Sequence, residues 1–243
     1  MDITIVIPAF NESKKIARDI KAACDFAIEN KFDAEIIVVD DGSTDNTYDI
    51  AANCQTPPKV KLSVIRLPQN KGKGYAVRTG INESIGDYVM FADSGCCVPY
   101  QNTIKAIEML KNDTCDIAHG SRKMQGCQIK IPQPKYRQIC SKIFRYCVIL
   151  LMHIPAKFTD TQCGFKVYKG NIARQLYKQC TTDGFMFDIE IIARALKKGF
   201  RIKEFPVTWT CDLDSRLYSQ RNFFKLLLEL IKIKITLMKH ARN

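Results

Sequence analysis

Two adjacent aspartates, Asp40 and Asp41, directly follow the apolar run Ile36-Ile37-Val38-Val39, and a third, Asp93, closes the run from Tyr88 to Ala92. Carboxylates placed at the ends of buried runs are costly unless they are used. A carboxylate can accept a hydrogen bond from an imide N–H, which suits Asp40 to the edge of a nucleotide base; an Asx turn or a helix cap is the competing reading of Asp40 and Asp41. Asp93 offers an oxygen ligand to a hard divalent cation such as Mg²⁺ or Mn²⁺, against the plainer role of a strand cap. Asn70-Lys71-Gly72-Lys73-Gly74 lies between these acids. Its glycines let backbone approach a diphosphate and its lysines offset the charge, although an ordinary flexible turn has the same composition.

These residues need strand ends to stand on. Ile3 to Ile7 is a short apolar run closed by Pro8, and Glu35–Val39, Val60–Leu67 and Tyr88–Ala92 are three more runs of strand length. Helical spacing fills the gaps: Ser13–Asn30 with Ile16, Ile20, Ala23 and Ala27 on one stripe, Thr44–Cys54, and Gly74–Ser84. Alternation of strand and helix with short connections predicts a doubly wound α/β sheet, in which ligands bind beyond the carboxyl ends of the strands. Phe10, Asn11, Glu12, Asp40, Asp41 and Asp93 all fall at such ends. Downstream, the pattern predicts helices over 101–111, 137–152 and 187–198, strands over 116–120 and 202–210, a loop over 123–135, and a turn over 160–166 that leads into a short strand.

Composition narrows the class. The chain has 243 residues, 46% of them hydrophobic, and a formal net charge of +12. That charge suits nucleic acid, phosphates or an anionic membrane. No zinc-finger spacing and no aromatic-basic RNA-binding motif supports the first. Eleven cysteines occur without a CxxC pair, which excludes a zinc ribbon and a thioredoxin motif and reads as reduced, buried thiols. The opening Met1-Asp2-Ile3-Thr4 lacks the pattern of a signal peptide, so a cytoplasmic location is expected. No GxGxxG follows the first strand, which excludes a dinucleotide-binding dehydrogenase.

The ordered set Ile5-Val6-Ile7-Pro8-Ala9-Phe10-Asn11-Glu12, Val38–Asp45, Asn70–Ala76 and Gly86–Asp93 resembles the family-2 inverting glycosyltransferases of the GT-A fold. Asp160-Thr161-Gln162-Cys163-Gly164-Phe165-Lys166 and Phe187-Asp188-Ile189-Glu190 resemble the branch that charges polyprenyl phosphates, the first of them most closely its glucosyltransferases. Six motifs in one order, covering residues 3 to about 210, carry far more weight than any one of them. The resemblance implies a GT-A sheet, mostly parallel and flanked by helices, over residues 1–215. It implies a donor site of Pro8, Ala9, Phe10, Glu12, Asp40, Gly72, Lys73, Asp93 and Gln162, with Asp93 as the ligand of Mg²⁺ or Mn²⁺. Asp160 and Gln162 would line the sugar pocket. Asp188 and Glu190 would contact the sugar or serve as base, with Asp188 and Asp160 the catalytic candidates, although Glu190 also reads as an outward-facing helix residue. Arg122, Arg137 and Ser141 would meet the acceptor phosphate, arginine being suited by its planar fork; surface solvation is the alternative for the arginines. The chain departs from the family at Asp93-Ser94-Gly95, where an Asp-x-Asp is usual and the second carboxylate is missing.

Residues 216–243 form a separate appendage in this reading. Lys225, Glu229, Lys232, Thr236 and Lys239 make one narrow polar stripe on an otherwise apolar helix over 223–239. The helix either docks on the domain's own core or lies in the plane of a membrane, its basic flank of Lys234, Lys239, His240 and Arg242 toward headgroups. The function expected is inverting transfer of a hexose, glucose from UDP-glucose in preference to mannose from GDP-mannose, to dolichyl or undecaprenyl phosphate at the cytoplasmic face of a membrane. A family-2 transferase with a soluble or glycan acceptor is the alternative, and it would keep its activity without residues 220–243. A basic nucleic-acid-binding protein is the third reading, and it predicts steep salt dependence and no nucleotide-sugar binding.

Overall fold

The computed structural model describes residues 1–131, 135–210 and 222–239, the side chains of 135–137, 140, 222–225 and 239 excepted. The side chain of Arg137, the expected boundary at 215/216, and the flank of Lys239, His240 and Arg242 therefore lie outside the described residues.

Seven strands form the central sheet: β1 (Ile3–Ala9), β2 (Ala34–Asp40), β3 (Val60–Arg66), β4 (Tyr88–Ala92), β5 (Ile117–Ser121), β7 (Phe165–Lys169) and β8 (Ile202–Pro206). Their order is β3-β2-β1-β4-β7-β5-β8, and only β7 runs antiparallel to its neighbours in that sheet. Every residue of β1 and β2 is buried, as their near-continuous apolar runs require of strands covered on both faces. Alternate residues feed two cores. Ile3, Ile5, Ile36 and Val38 join a cluster with α1 (Ile16–Glu29), α2 (Thr47–Ala52) and α4 (Asn102–Lys111). Val6, Ile37 and Val39 join the opposite cluster with α3 (Lys73–Glu83), α5 (Lys135–Met152), α6 (Gly170–Lys178), α7 (Phe187–Lys197) and α8 (Asn222–Lys239).

Strand order reverses between β1 and β4, the switch point at which such sheets open a crevice. β1 continues through Pro8 to Ala9, beyond the end read from sequence. The ladder to β4 stops at Val6 and Phe91 while that to β2 continues, so Pro8 sits where β1 is paired on one side.

Three further expectations change. Residues 123–135 contain a strand, β6 (Gln128–Ile131), paired in parallel with β9 (Thr208–Thr210). All four residues of β6 are exposed, so no burial pattern marks them in sequence. The expected strand over 202–210 is two strands, β8 and β9, in different sheets. Helix α6, absent from the sequence reading, buries Ile172, Ala173, Leu176 and Tyr177. The terminal helix α8 buries Leu226, Leu230 and Ile233 in the second core, beside Phe144 and Val148 of α5. Its Glu229 reaches Gly184, where any Cβ would collide with that carboxylate. Removing residues 220–243 would thus uncover core, and that truncation tests folding before it tests the acceptor.

Candidate active site

The connections leaving β1 and β2 interlock at the carboxyl edge. Asn11 N donates to Ser43 Oγ (2.8 Å), Thr44 N to Asn11 Oδ1 (2.9 Å), and Glu12 N to Thr47 Oγ1 (2.8 Å). Pro8 and Ala9 are buried at the base of this knot, with Phe10 and Glu12 partly exposed above it. Asp40 is fully buried. Its Oδ1 accepts from Ser43 N (3.1 Å), while Oδ2 accepts no hydrogen bond among the described residues and has Arg66 Nε 3.7 Å away. A buried carboxylate oxygen without a donor costs free energy until a ligand supplies one.

Asp41 has a different task. Its two oxygens accept from Lys71 N and Gly72 N, each at 2.8 Å, and so hold the Asn70–Gly74 loop. Burial pushes this carboxyl upward, against the lowering pull of those two backbone donors. The loop is gripped from the other side as well. Gly72 has φ 107°, and a Cβ there would lie 2.5 Å from Asp183 O, so only glycine fits. Asp183 O also accepts from Tyr75 N (3.1 Å). Glu190 supports this second wall: it is buried, accepts from Thr181 N and Thr182 N, and pairs with Arg194 (2.6 Å). It therefore faces inward, correcting the outward-facing reading, and its carboxylate is committed to positioning. Asp41→Ala is expected to raise the donor KM roughly tenfold with a smaller change in kcat, because two hydrogen bonds to a charged group order the loop. Initial-rate kinetics check this, and an unchanged KM would remove Asp41 from the donor site.

Asp93 leaves β4 beside the amino terminus of α3. Lys73 Nζ lies 2.5 Å from its Oδ1. Burial lowers the Lys73 ammonium's affinity for its proton, but Asp93 and then Asp188 outweigh that and hold it raised. A Cβ on Gly164 would overlap the Asp93 carboxylate, so glycine there lets the Asp160–Phe165 segment abut it. The neighbouring Ser94 Oγ is buried without a hydrogen-bond partner among the described residues. Gly95 N is drawn to the buried Asp19 of α1 (2.6 Å). No cluster of three metal-ligating side chains occurs among the described residues. One carboxylate and one orphaned hydroxyl fit a hard cation that takes its remaining oxygens from a diphosphate and water.

Asp188 and Lys166 form a buried ion pair (Nζ to Oδ1 2.7 Å), and Lys166 also donates to Cys163 O. Burial raises the Asp188 carboxyl, and Lys166 and then Lys73 pull it back. Asp188 is a catalytic candidate from sequence, but its partner is not visible there, since Lys166 is 22 positions away on β7. Gln162 Nε2 lies 3.8 Å from Met186 Sδ, against the same wall.

Asp160 and Arg122, read separately as sugar and phosphate contacts, are partners. Arg122 Nε and NH2 donate to the two Asp160 oxygens at 2.6 and 2.8 Å, and Arg122 stacks over Trp209. Although Asp160 is buried, Arg122 holds its carboxyl well below the usual range. Glu204 on β8 fixes the same turn by accepting from Thr159 N and Asp160 N. Around the pair opens a cleft lined by Arg122, Lys123, Ser141, Arg145 and Gln162. Arg122 and Ser141, both expected at an acceptor phosphate, line this one cleft. Lys123, which donates to Ser141 Oγ (3.2 Å), and Arg145 were missed, because neither belongs to a motif. Burial and the neighbouring Arg122 and Arg145 push Lys123 down, against Asp160. Asp160 and Gly164 are four residues apart, so the basic cleft and Asp93 lie within about 14 Å along the chain.

The family model for glycosyl transferase family 2 matches residues 4–176. Dolichyl-phosphate beta-glucosyltransferase of Saccharomyces cerevisiae is 31% identical over 224 residues, 85% of this chain and 66% of that protein. The Homo sapiens protein of the same name is 28% identical over 251 residues, 98% of this chain and 76% of its own. This chain thus spans about two thirds to three quarters of the length of these curated relatives. Among solved structures, glucosyl-3-phosphoglycerate synthase of Mycobacterium tuberculosis, crystallised with Mn²⁺, UDP and glucosyl-3-phosphoglycerate, superposes with a TM-score of 0.72 at 18% identity, over 96% of this chain and 79% of that one. At that identity the likeness speaks for the shared GT-A fold. With more than half of its length matched, on a sheet whose switch-point crevice gathers Asp40, the Asn70–Gly74 loop and Asp93, the chain belongs to glycosyl transferase family 2.

Proposed function

We propose that this protein transfers glucose from UDP-glucose to a polyprenyl phosphate, with inversion, at the cytoplasmic face of a membrane. The observation that carries this reading is the basic cleft of Arg122, Lys123, Ser141 and Arg145, joined to Asp93 by the short Asp160–Gly164 segment. A cleft of that charge suits a phosphate acceptor better than a neutral glycan hydroxyl. The names of the relatives support glucose and a dolichyl-phosphate acceptor, and the free thiols suit a reducing compartment.

The roles of the residues follow. Asp40 Oδ2, which accepts no hydrogen bond among the described residues and has Arg66 nearby, would take the imide N–H of the base, with Phe10 walling the nucleoside. The amino terminus of α3, with Lys71 and Lys73, would meet the diphosphate, since the helix opens at Lys73 directly after the Gly72 cap. A divalent cation on Asp93, with Ser94 beside it, would neutralise the charge on the leaving nucleotide. Lys73 already balances Asp93 and is placed to share the diphosphate charge. The acceptor phosphate is an anionic nucleophile near neutral pH, so catalysis needs it positioned more than deprotonated. Arg122, oriented by Asp160, and Lys123 do this positioning, while Asp188 fixes Lys166, which holds the Cys163 carbonyl of the Asp160–Phe165 segment. Asp160 and Asp188 are in this reading positioning carboxylates.

The test is direct. Incubation with Mg²⁺ or Mn²⁺, labelled UDP-glucose, GDP-mannose or other nucleotide sugars, and a polyprenyl phosphate should place label in the extracted lipid, with UDP-glucose the strongest donor. No labelled lipid from any donor would refute the reading; label only on a soluble phosphorylated acceptor would replace it.

A further inference from the structure

Helices α5 and α8 both carry apolar side chains on two faces. On α5, Phe144 and Val148 are buried, while Ile139, Ile143, Tyr146 and Leu150 are 59, 51, 68 and 76% exposed. Spacings of four, three and four residues put these four on one stripe, opposite the buried pair. On α8, Leu226, Leu230 and Ile233 are buried, while Leu228, Ile231, Ile235 and Met238 are 42 to 67% exposed, again at spacings of three and four. The two helices touch each other, and their buried faces enter the same core. Helices that lie side by side on one core turn their opposite faces to one side, so the two stripes make a single apolar surface. Scattered exposed apolar residues need no explanation, but eight in two adjoining stripes mark an interaction surface.

Charge selects what covers it. The sequence of α5 contains Lys135, Arg137, Lys142 and Arg145 and no acid; that of α8 contains Lys225, Lys232, Lys234 and Lys239 against Glu229 alone. Lys142 and Lys232 are exposed on the same two helices as the stripes. A basic, two-faced helix pair repels a second copy of itself and matches an anionic lipid surface. Neither helix is long and apolar enough to cross a membrane. On its protein-facing side, α5 lends Ser141, Phe144 and Arg145 to the basic cleft.

We infer that α5 and α8 together form a two-helix plane that lies on an anionic bilayer and sets the basic cleft directly above the headgroups. The inference rests on the lipid-phosphate reading of the cleft and adds where the acceptor's bilayer lies. A lipid phosphate then reaches Arg122 and Lys123 without leaving the membrane, because the helix that walls the cleft is the helix that touches lipid.

Flotation with phosphatidylcholine vesicles, with and without phosphatidylglycerol to supply a negative surface potential, tests it. The full chain should float with the anionic vesicles, and Leu150→Asp and Leu228→Asp should each lower vesicle binding more than tenfold. Both sites are exposed, so melting temperature should not move; Ile143→Asp and Ile235→Asp are second variants in case it does. Loss through α8 alone, with Leu150→Asp floating like the parent, would overturn the two-helix plane. So would a dimer in sedimentation velocity that Leu150→Asp dissociates while vesicles bind nothing. Transfer to a short-chain, water-soluble prenyl phosphate separates this from the functional reading. Activity there with no vesicle binding defeats the plane and keeps the reading, whereas vesicle binding with no transfer to any acceptor defeats the reading.

Discussion

Asp93→Ala is expected to lower turnover by about a thousandfold, equivalent to about 4 kcal/mol of transition-state stabilisation. In the proposed reading Asp93 combines two functions at one point. Its carboxylate is the charged oxygen available to a cation at the carboxyl end of β4, and it is the partner of Lys73 at 2.5 Å. Truncation removes the cation's one protein charge and releases Lys73 to settle on the diphosphate alone. The amino terminus of α3 and Lys73 remain, so activity does not fall to zero. Asp93→Asn keeps shape and loses charge, and should fall by about a hundredfold. Calorimetric titration with UDP, with and without Mn²⁺, adds a readout independent of turnover. The metal should tighten UDP binding to the parent and leave the alanine variant unchanged. Near-parental turnover in Asp93→Ala, or a metal effect that survives in it, would take Asp93 out of the cation site.

Lys166→Met should destabilise the protein by about 3–5 kcal/mol, the usual consequence of removing one half of a buried ion pair. Lys166 and Asp188 are both under 5% exposed as residues, and Lys166 also lies over the Phe91 ring. The methionine fills the space of the lysine stem but leaves Asp188 charged in an apolar wall. The loss depends on pH with a definite sign. Burial already raises the Asp188 carboxyl, and losing Lys166 raises it further. A carboxyl whose folded pKa is raised contributes stability that is fully present below its unfolded value and is lost as pH rises through the folded value. The deficit of Lys166→Met relative to the parent should therefore be larger at pH 8 than at pH 5. Urea unfolding at both pH values measures it. A deficit independent of pH would mean that Asp188 is not the group left uncompensated. Lys166→Met combined with Asp188→Leu should recover most of the stability, because both charges are then gone.

Much of the fold was legible because its information is local. The runs Ile3–Ile7, Glu35–Val39 and Tyr88–Ala92 declare buried strands without reference to any other part of the chain, and each became β1, β2 or β4. β6 and α6 were not legible for the converse reason. Four exposed residues show no burial period, and the nine residues of α6 are too few for a stripe to stand out. The antiparallel insertion of β7 between β4 and β5 was equally invisible, because strand order depends on contacts between β7 and partners far away in sequence.

The candidate site divides along the same line. From sequence alone it followed that acids stand at the ends of the first, second and fourth strands, that a glycine-lysine loop precedes the third helix, and that Asp93-Ser94-Gly95 lacks a second carboxylate. Strand polarity and chain order determine those points, and both are written in consecutive residues. Tertiary structure alone decided how each charge is used. It gave Asp40 an oxygen without a donor and Asp41 the loop to hold, though the two are neighbours of one type. It joined Arg122 to Asp160 across 38 positions and Lys166 to Asp188 across 22. It made the terminal helix both a part of the core and a carrier of exposed apolar residues, where the sequence offered the two as alternatives. A side chain's chemistry travels with its residue type, but its partner is a matter of which distant segments the sheet brings within hydrogen-bonding reach.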